Sequence, residues 1–158
     1  MRYLISGTGE DCFNEKIVSL SSVAFEKISI YDQKCYPAKR EEFLKEWLKN
    51  SVKSVAYCEE NEIKGYGVLR RGWDTFRIGP WFADSKDIAE EILKSLIGSL
   101  QSNEVATIDI PDINKSALEL SDKFSMKVGP FTLRMYKGEI PKIVFDKFVF
   151  GITSLDFG

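Results

Sequence analysis

The sequence predicts an α/β fold of the α+β kind: a mixed, mostly antiparallel sheet with helices on both faces and a central parallel strand pair that splays apart. Three observations carry this expectation. SVKSVAYCEE, IKGYGVLRRG and TFRIGPWF are strand-like runs whose connections are too short for a crossover, so they should form an antiparallel meander. SKDIAEEILKSLIGSL then separates TFRIGPWF from VATIDIP, and a helix of that length can return the chain so that these two strands lie parallel by a right-handed crossover. Finally, Pro80 interrupts the first of that pair and Pro111 follows the second. Proline cannot donate to a ladder, so a bulge and a parting of the two strands are expected there. Parted strands leave backbone groups that an extended, amide-bearing ligand can satisfy as a substitute strand.

Taken in order, residues 1–24 read as an N-terminal extension and 25–158 as one domain. Within the extension, EDCFNEKIVSL is expected to form a short helix, because Phe13, Ile17 and Leu20 fall on one helical face. FEKISIYD reads as a short strand. Pro37 is placed in the first turn of the helix AKREEFLKEWLKN, where proline is tolerated, with Phe43, Leu44, Trp47 and Leu48 as its apolar stripe. After the meander, Asp84 or Ser85 caps the helix that carries Ile88, Ala89, Ile92, Leu93, Leu96, Ile97 and Leu100 at helical spacing. VATIDIP follows as a strand and NKSALELSDKF as a helix. VGPFTLRMYKG and KFVFGITSL close the sheet as a terminal hairpin. The last run suits a strand buried on both faces or paired with another subunit, which would make a homodimer.

Composition narrows the function. The 158 residues are 44% apolar and 29% charged, which suits one compact core. A formal net charge of −2 argues against a nucleic-acid partner, since phosphate contacts need concentrated Lys and Arg. Histidine is absent, which removes Ser-His-Asp and Cys-His hydrolysis, His-based metal sites and imidazole proton shuttling. No metal is expected. Cys12, Cys35 and Cys58 lack CxxC spacing and read as free thiols in a reducing compartment. No apolar run approaches the ~20 residues of a membrane span, and MRYLISGTGEDCF is too interrupted for a secretory signal, so a cytoplasmic protein that does not engage membranes is expected.

The order of elements resembles the GNAT (Gcn5-related) N-acetyltransferase fold. Asn114 to Met126 lies without a gap on the second motif of that family: Asn114, Ala117 and Leu120 match, Ser121 stands where tyrosine is usual, and Ser125 and Met126 stand where glycine and phenylalanine are usual. At the phosphate loop this chain has DSKDIA, with Asp84 and Asp87 in place of a basic or amide residue and a glycine. YDQKCYPAKREEFLKEWL, IKGYGVLRR, RIGPWFADSKDIAEEIL and FGITSLDFG together resemble the second acetyltransferase-like domain of tandem GNAT proteins, where a degenerate phosphate loop is common.

The resemblance implies acetyl-CoA as co-substrate and a small or amino-acid-like amine as acceptor; the alternative is a non-catalytic GNAT-fold module that binds acyl-CoA or dimerises. It implies that acetyl-CoA meets the bulged strand at Ile78, Gly79, Pro80 and Phe82, of which Pro80 has no N–H to offer, the helix start at Ser85, Lys86 and Asp87, and Asn114. Ser121 occupies the position of the family's general acid, with Tyr66 or Tyr136 as replacements. Asp109 is the candidate base, because strand alternation turns it away from Ile108 and Ile110 and it lies near the expected parting. Tyr31, Asp32, Arg71 and Arg77 are candidates for the acceptor pocket, where an arginine would suit a carboxylate.

Overall fold

In a computed structural model, which describes residues 1–10, 12–36, 38–133, 135 and 146–156, eight strands form one sheet. The strands are β1 (Arg2–Ser6), β2 (Ile17–Ser19), β3 (Lys53–Glu59), β4 (Glu62–Arg71), β5 (Phe76–Ala83), β6 (Val105–Asp109), β7 (Lys127–Val128) and β8 (Val149–Gly151). Their order across the sheet is β2-β3-β4-β5-β6-β1-β7, with β8 paired to β5 off this path. The helices are α1 (Phe25–Cys35), α2 (Glu41–Lys49), α3 (Lys86–Gly98) and α4 (Lys115–Lys123).

The meander β3-β4-β5 is antiparallel throughout, and β6 runs parallel to β5, as the loop lengths required. One face of the sheet packs against α3 and α4: Ile92, Leu93, Leu96, Ala117 and Leu120 join Leu69, Ile78 and Ile108 in one core. The other face packs against α1 and α2, where Ile28, Tyr31 and Cys35, with Trp47 at the margin, meet Tyr66, Val68 and Phe82. Glycine at Gly67 lets α3 sit close on β4. A Cβ there would lie 2.7 Å from Ile92 and 2.9 Å from Leu96. Ser85 caps α3, its hydroxyl accepting from Ile88 N–H, while Asp84 accepts from the Tyr31 hydroxyl instead.

Four expectations need correction. FEKISIYD is helical, not a strand: Ile28, Tyr31, Asp32 and Cys35 are buried at three- and four-residue spacing, and that period outweighs the short apolar alternation, leaving Ile30 on the surface. The described residues of EDCFNEKIVSL do not form the expected helix. Phe13 points to solvent, and Ile17–Ser19 instead pair with β3, whose outer edge would otherwise lack partners. The helix expected from Pro37 starts at Glu41, and Pro37 itself lies outside the described residues. Among the described residues of VGPFTLRMYKG, Val128 is the one in a strand, as the end of β7 (Lys127–Val128), which pairs with β1; residues 134 and 136–145 lie outside the described residues. Arg2–Ser6, within the stretch read as an extension, is a strand between β6 and β7, with Tyr3 and Ile5 turned into the core.

Candidate functional site

The parting foreseen at Pro80 is present. Strand β5 pairs with β6 at Phe76, Arg77 and Ile78 and no further, and the β4-β5 register slips between Gly67 and Leu69, which puts one extra residue in β5 at Gly79–Pro80. Beyond Ile78 the two strands diverge.

The chain itself lies in the gap. Strand β8 pairs antiparallel with β5, Gly151 opposite Trp81 and Val149 opposite Phe82, and Ile152 N–H donates to the Asp109 carbonyl at 3.0 Å. A Cβ at Gly79 would fall 2.4 Å from the Ile152 carbonyl oxygen and 2.6 Å from that of Thr153. Residues 149–153 therefore bridge the diverging strands as an extended backbone. Phe150 anchors them in the core against Trp81, ring centroids 5.4 Å apart. The edge of β5 expected to receive a ligand at Phe82 is thus engaged by β8.

Asn114 ties this arrangement to α4. Its side-chain oxygen accepts from Ala117 N–H as the helix N-cap, and its amide donates to the carbonyls of Val149 at 2.9 Å and Lys147 at 3.3 Å. Ser121 is buried on the same helix, its hydroxyl donating to the Leu118 carbonyl. At the start of α3, Ser85, Lys86 and Asp87 are exposed, and Lys86 is ion-paired with Glu119 at 2.7 Å. One turn further, burial alone would raise the Glu90 carboxyl, but hydrogen bonds from Lys123 and Lys94 outweigh it and leave the group below its ordinary range.

Asp109 sits at the end of β6, where both carboxylate oxygens accept from the Arg2 guanidinium at 2.8 Å. Arg2 was not singled out by sequence. The signal was thin, since the pair is separated by 107 positions.

On the α1 face, the Tyr31 hydroxyl donates to the Lys64 carbonyl and to Asp84, while Asp32 belongs to a separate buried polar network. Asp32 is 1% exposed and receives a bidentate contact from Arg40 at 2.7 and 2.8 Å, with the Tyr66 hydroxyl on the same carboxylate. Arg40 also donates to Thr153, so the network touches the C-terminal segment. Burial and the neighbouring Asp32 charge push the Tyr66 phenol far up, and burial does the same to Tyr31 and to the Cys35 thiol. Tyr66 is therefore a poor proton donor to a leaving group. Tyr136 lies outside the described residues.

The two meander arginines separate. Arg71 is exposed at the end of β4 with its guanidinium 5.0 Å from the Phe76 ring, on the α3 face. Arg77 faces the other way and is the cross-strand partner of Arg70, which the sequence reading passed over. Arg70 stacks its guanidinium 3.6 Å from the centre of the Trp47 ring, and Trp47 donates to the Gly79 carbonyl at 3.0 Å, beside the bulge. Alternation counted back from the β4-β5 turn was the signal that would have found Arg70.

The profile of the acetyltransferase (GNAT) domain matches residues 28–147. Among solved structures, a proposed acetyltransferase from Pyrococcus horikoshii superposes with a TM-score of 0.75 at 26% identity, over 99% of this chain and 52% of that one. The chain thus spans about half the length of that relative. A GNAT-family structure from Novosphingobium aromaticivorans superposes with a TM-score of 0.61 at 11% identity, over 81% of this chain and 58% of that one, a likeness of fold alone. No curated protein matches the sequence.

Proposed function

Because this chain belongs to the GNAT acetyltransferase family, we propose that it is an acyltransferase domain that moves an acetyl group from acetyl-CoA to the amine of a small or amino-acid-like acceptor. The observation that supports this most is the gap beside Gly79–Pro80, where β5 and β6 separate and an extended main chain already lies between them. A backbone in that position supports this reading, because an amide-bearing arm such as pantetheine presents the same kind of hydrogen-bonding groups. The fit at the start of α3 is poorer, because Asp87 sits in the first turn, where a pyrophosphate would seek the positive helix end, and Lys86 is committed to Glu119.

Acetyl-CoA supplies the thioester: its C–S bond breaks as the N–C bond forms, the amine losing a proton and the thiolate gaining one. The chain's part is positional. Residues 149–153 occupy the place proposed for the arm, so they withdraw from β5 for it to enter, and the backbone groups on the β5 edge that β8 leaves, beyond the bulge, then become available to the donor. Asp109, at the same parting, is the proposed proton acceptor, and Arg2 orients its carboxylate. Ser121 remains bonded within its own helix.

A second reading, a non-catalytic module, is favoured by β8 filling the gap and by the acidic start of α3. Calorimetric titration of the intact chain with acetyl-CoA, followed by thiol release across a panel of amines, separates the two. Binding with turnover supports transfer. Binding without turnover on any amine supports the module, and the lack of binding at millimolar ligand removes the donor site.

A further inference from the structure

Two cations face each other on the α2 face of the sheet without a carboxylate between them. Arg70 and Arg77 are register partners on β4 and β5, and among the described residues neither has a hydrogen-bond or ion-pair partner. The Arg70 Nε is buried and unbonded. Like charges directly opposite each other on paired strands destabilise a sheet, and a buried guanidinium N–H without an acceptor adds to that cost. Burial and the Arg77 charge both pull the Arg70 guanidinium below its ordinary range, which records the same strain. Every other buried or half-buried arginine described here is matched: Arg2 by Asp109 and Arg40 by Asp32.

We propose that Arg70 and Arg77 form the binding site for a carboxylate on the acceptor, so that the acceptor is a small molecule carrying both an amine and a carboxylate. This rests on the acyl-transfer reading for the amine, but the anion site stands on its own geometry. A carboxylate accepts the paired, parallel hydrogen bonds that a planar guanidinium offers, and one lying between the two arginines screens their repulsion. Trp47 fixes the Arg70 plane from above and spans, through its bond to the Gly79 carbonyl, from the anion site to the bulge. Two residues of β5, about 7 Å of strand, separate Arg77 from Gly79. That distance matches an amine held at the gap while the carboxylate rests on the arginines. Arg71 is excluded, because it leaves the opposite face of β4.

The test is a titration of the intact chain with sodium glutamate, against sodium chloride at matched ionic strength, followed by tryptophan emission and melting temperature. Glutamate should change the emission and raise the melting temperature where chloride does not. Arg77→Gln and Arg70→Lys should each weaken the glutamate response at least tenfold, the second because it keeps the charge and loses the fork, while Lys49→Gln on the exposed side of α2 should not. Identical effects of glutamate and chloride, or variants that respond like the parent, overturn the proposal. Glutamate binding without acetyl-CoA binding would keep the anion site and remove the acyl-transfer reading. The opposite pair of results would do the reverse.

Discussion

Gly79→Ala tests the packing at the gap. The glycine φ lies outside the left-handed region, so alanine brings no backbone penalty there and the effect is purely one of space. Its Cβ would stand 2.4 Å from the Ile152 oxygen and 2.6 Å from the Thr153 oxygen, both main-chain atoms that cannot rotate away. Carbon–oxygen contacts settle near 3.3–3.6 Å, so the C-terminal segment must retreat by about 1 Å. The shift displaces Ile152 relative to Asp109, so their N–H···O bond, now 3.0 Å, is forced out of hydrogen-bond geometry. Its loss costs about 1 kcal/mol, and forced repacking of a filled space adds about 1–3 kcal/mol. The sum, about 2–4 kcal/mol, corresponds to a fall in melting temperature of roughly 4–16 °C for a chain of this size. Urea and thermal unfolding measure the loss, and hydrogen exchange at the Ile152 amide shows where it arises. A parent-like midpoint with an equally protected Ile152 would mean that the segment does not lie against Gly79.

Two further outcomes follow from the contacts that hold the segment and the two neighbouring helices. Asn114→Asp keeps an oxygen to cap α4 but replaces the amide that donates to Val149 and Lys147 with an acceptor, so it should cost about 2 kcal/mol and raise exchange in β8 while α4 stays protected; equal loosening of α4 would refute that division. The Glu90 carboxyl is lowered by Lys123 and Lys94, so its contribution is complete above its unfolded value near pH ~4.3 and is lost as pH falls through the lower folded value. Urea midpoints should therefore drop more steeply on acidification for the parent than for Glu90→Gln, and parallel curves would contradict the assignment.

The parts of this fold set by local rules were legible in the sequence. Short loops dictated the meander, the apolar spacing from Ile88 to Leu100 dictated α3, and the intervening helix dictated the parallel pair. Pro80 located the bulge for the plain reason that it lacks an N–H. What stayed hidden was decided by distant partners. Strand β1 is five residues long and is stabilised by pairing with β6 and by Arg2 on Asp109, neither of which leaves a local trace. The apolar run Val149–Gly151 announced burial on both faces, but nothing local says that it enters the middle of the sheet. At Phe25–Cys35 the alternation of Ile28 and Ile30 mimicked a strand, although Ile28, Tyr31, Asp32 and Cys35 recur at the three- and four-residue spacing of a helix. The candidate site divides in the same way. The bulge was readable from Pro80 and Arg70 was within reach of strand alternation, whereas the pairing of Arg70 with Arg77 and the entry of Val149–Gly151 beside β5 are set by partners on other strands.

Hydrogen exchange of the intact chain with and without acetyl-CoA tests the proposed donor site most directly. At saturating ligand the amides of Val149–Gly151 and Ile152 should lose protection as the segment leaves β5 and Asp109, while those of Val105–Asp109 stay protected on the β1 side. Saturation by acetyl-CoA with Ile152 and β8 as protected as before would place the donor elsewhere and contradict the account.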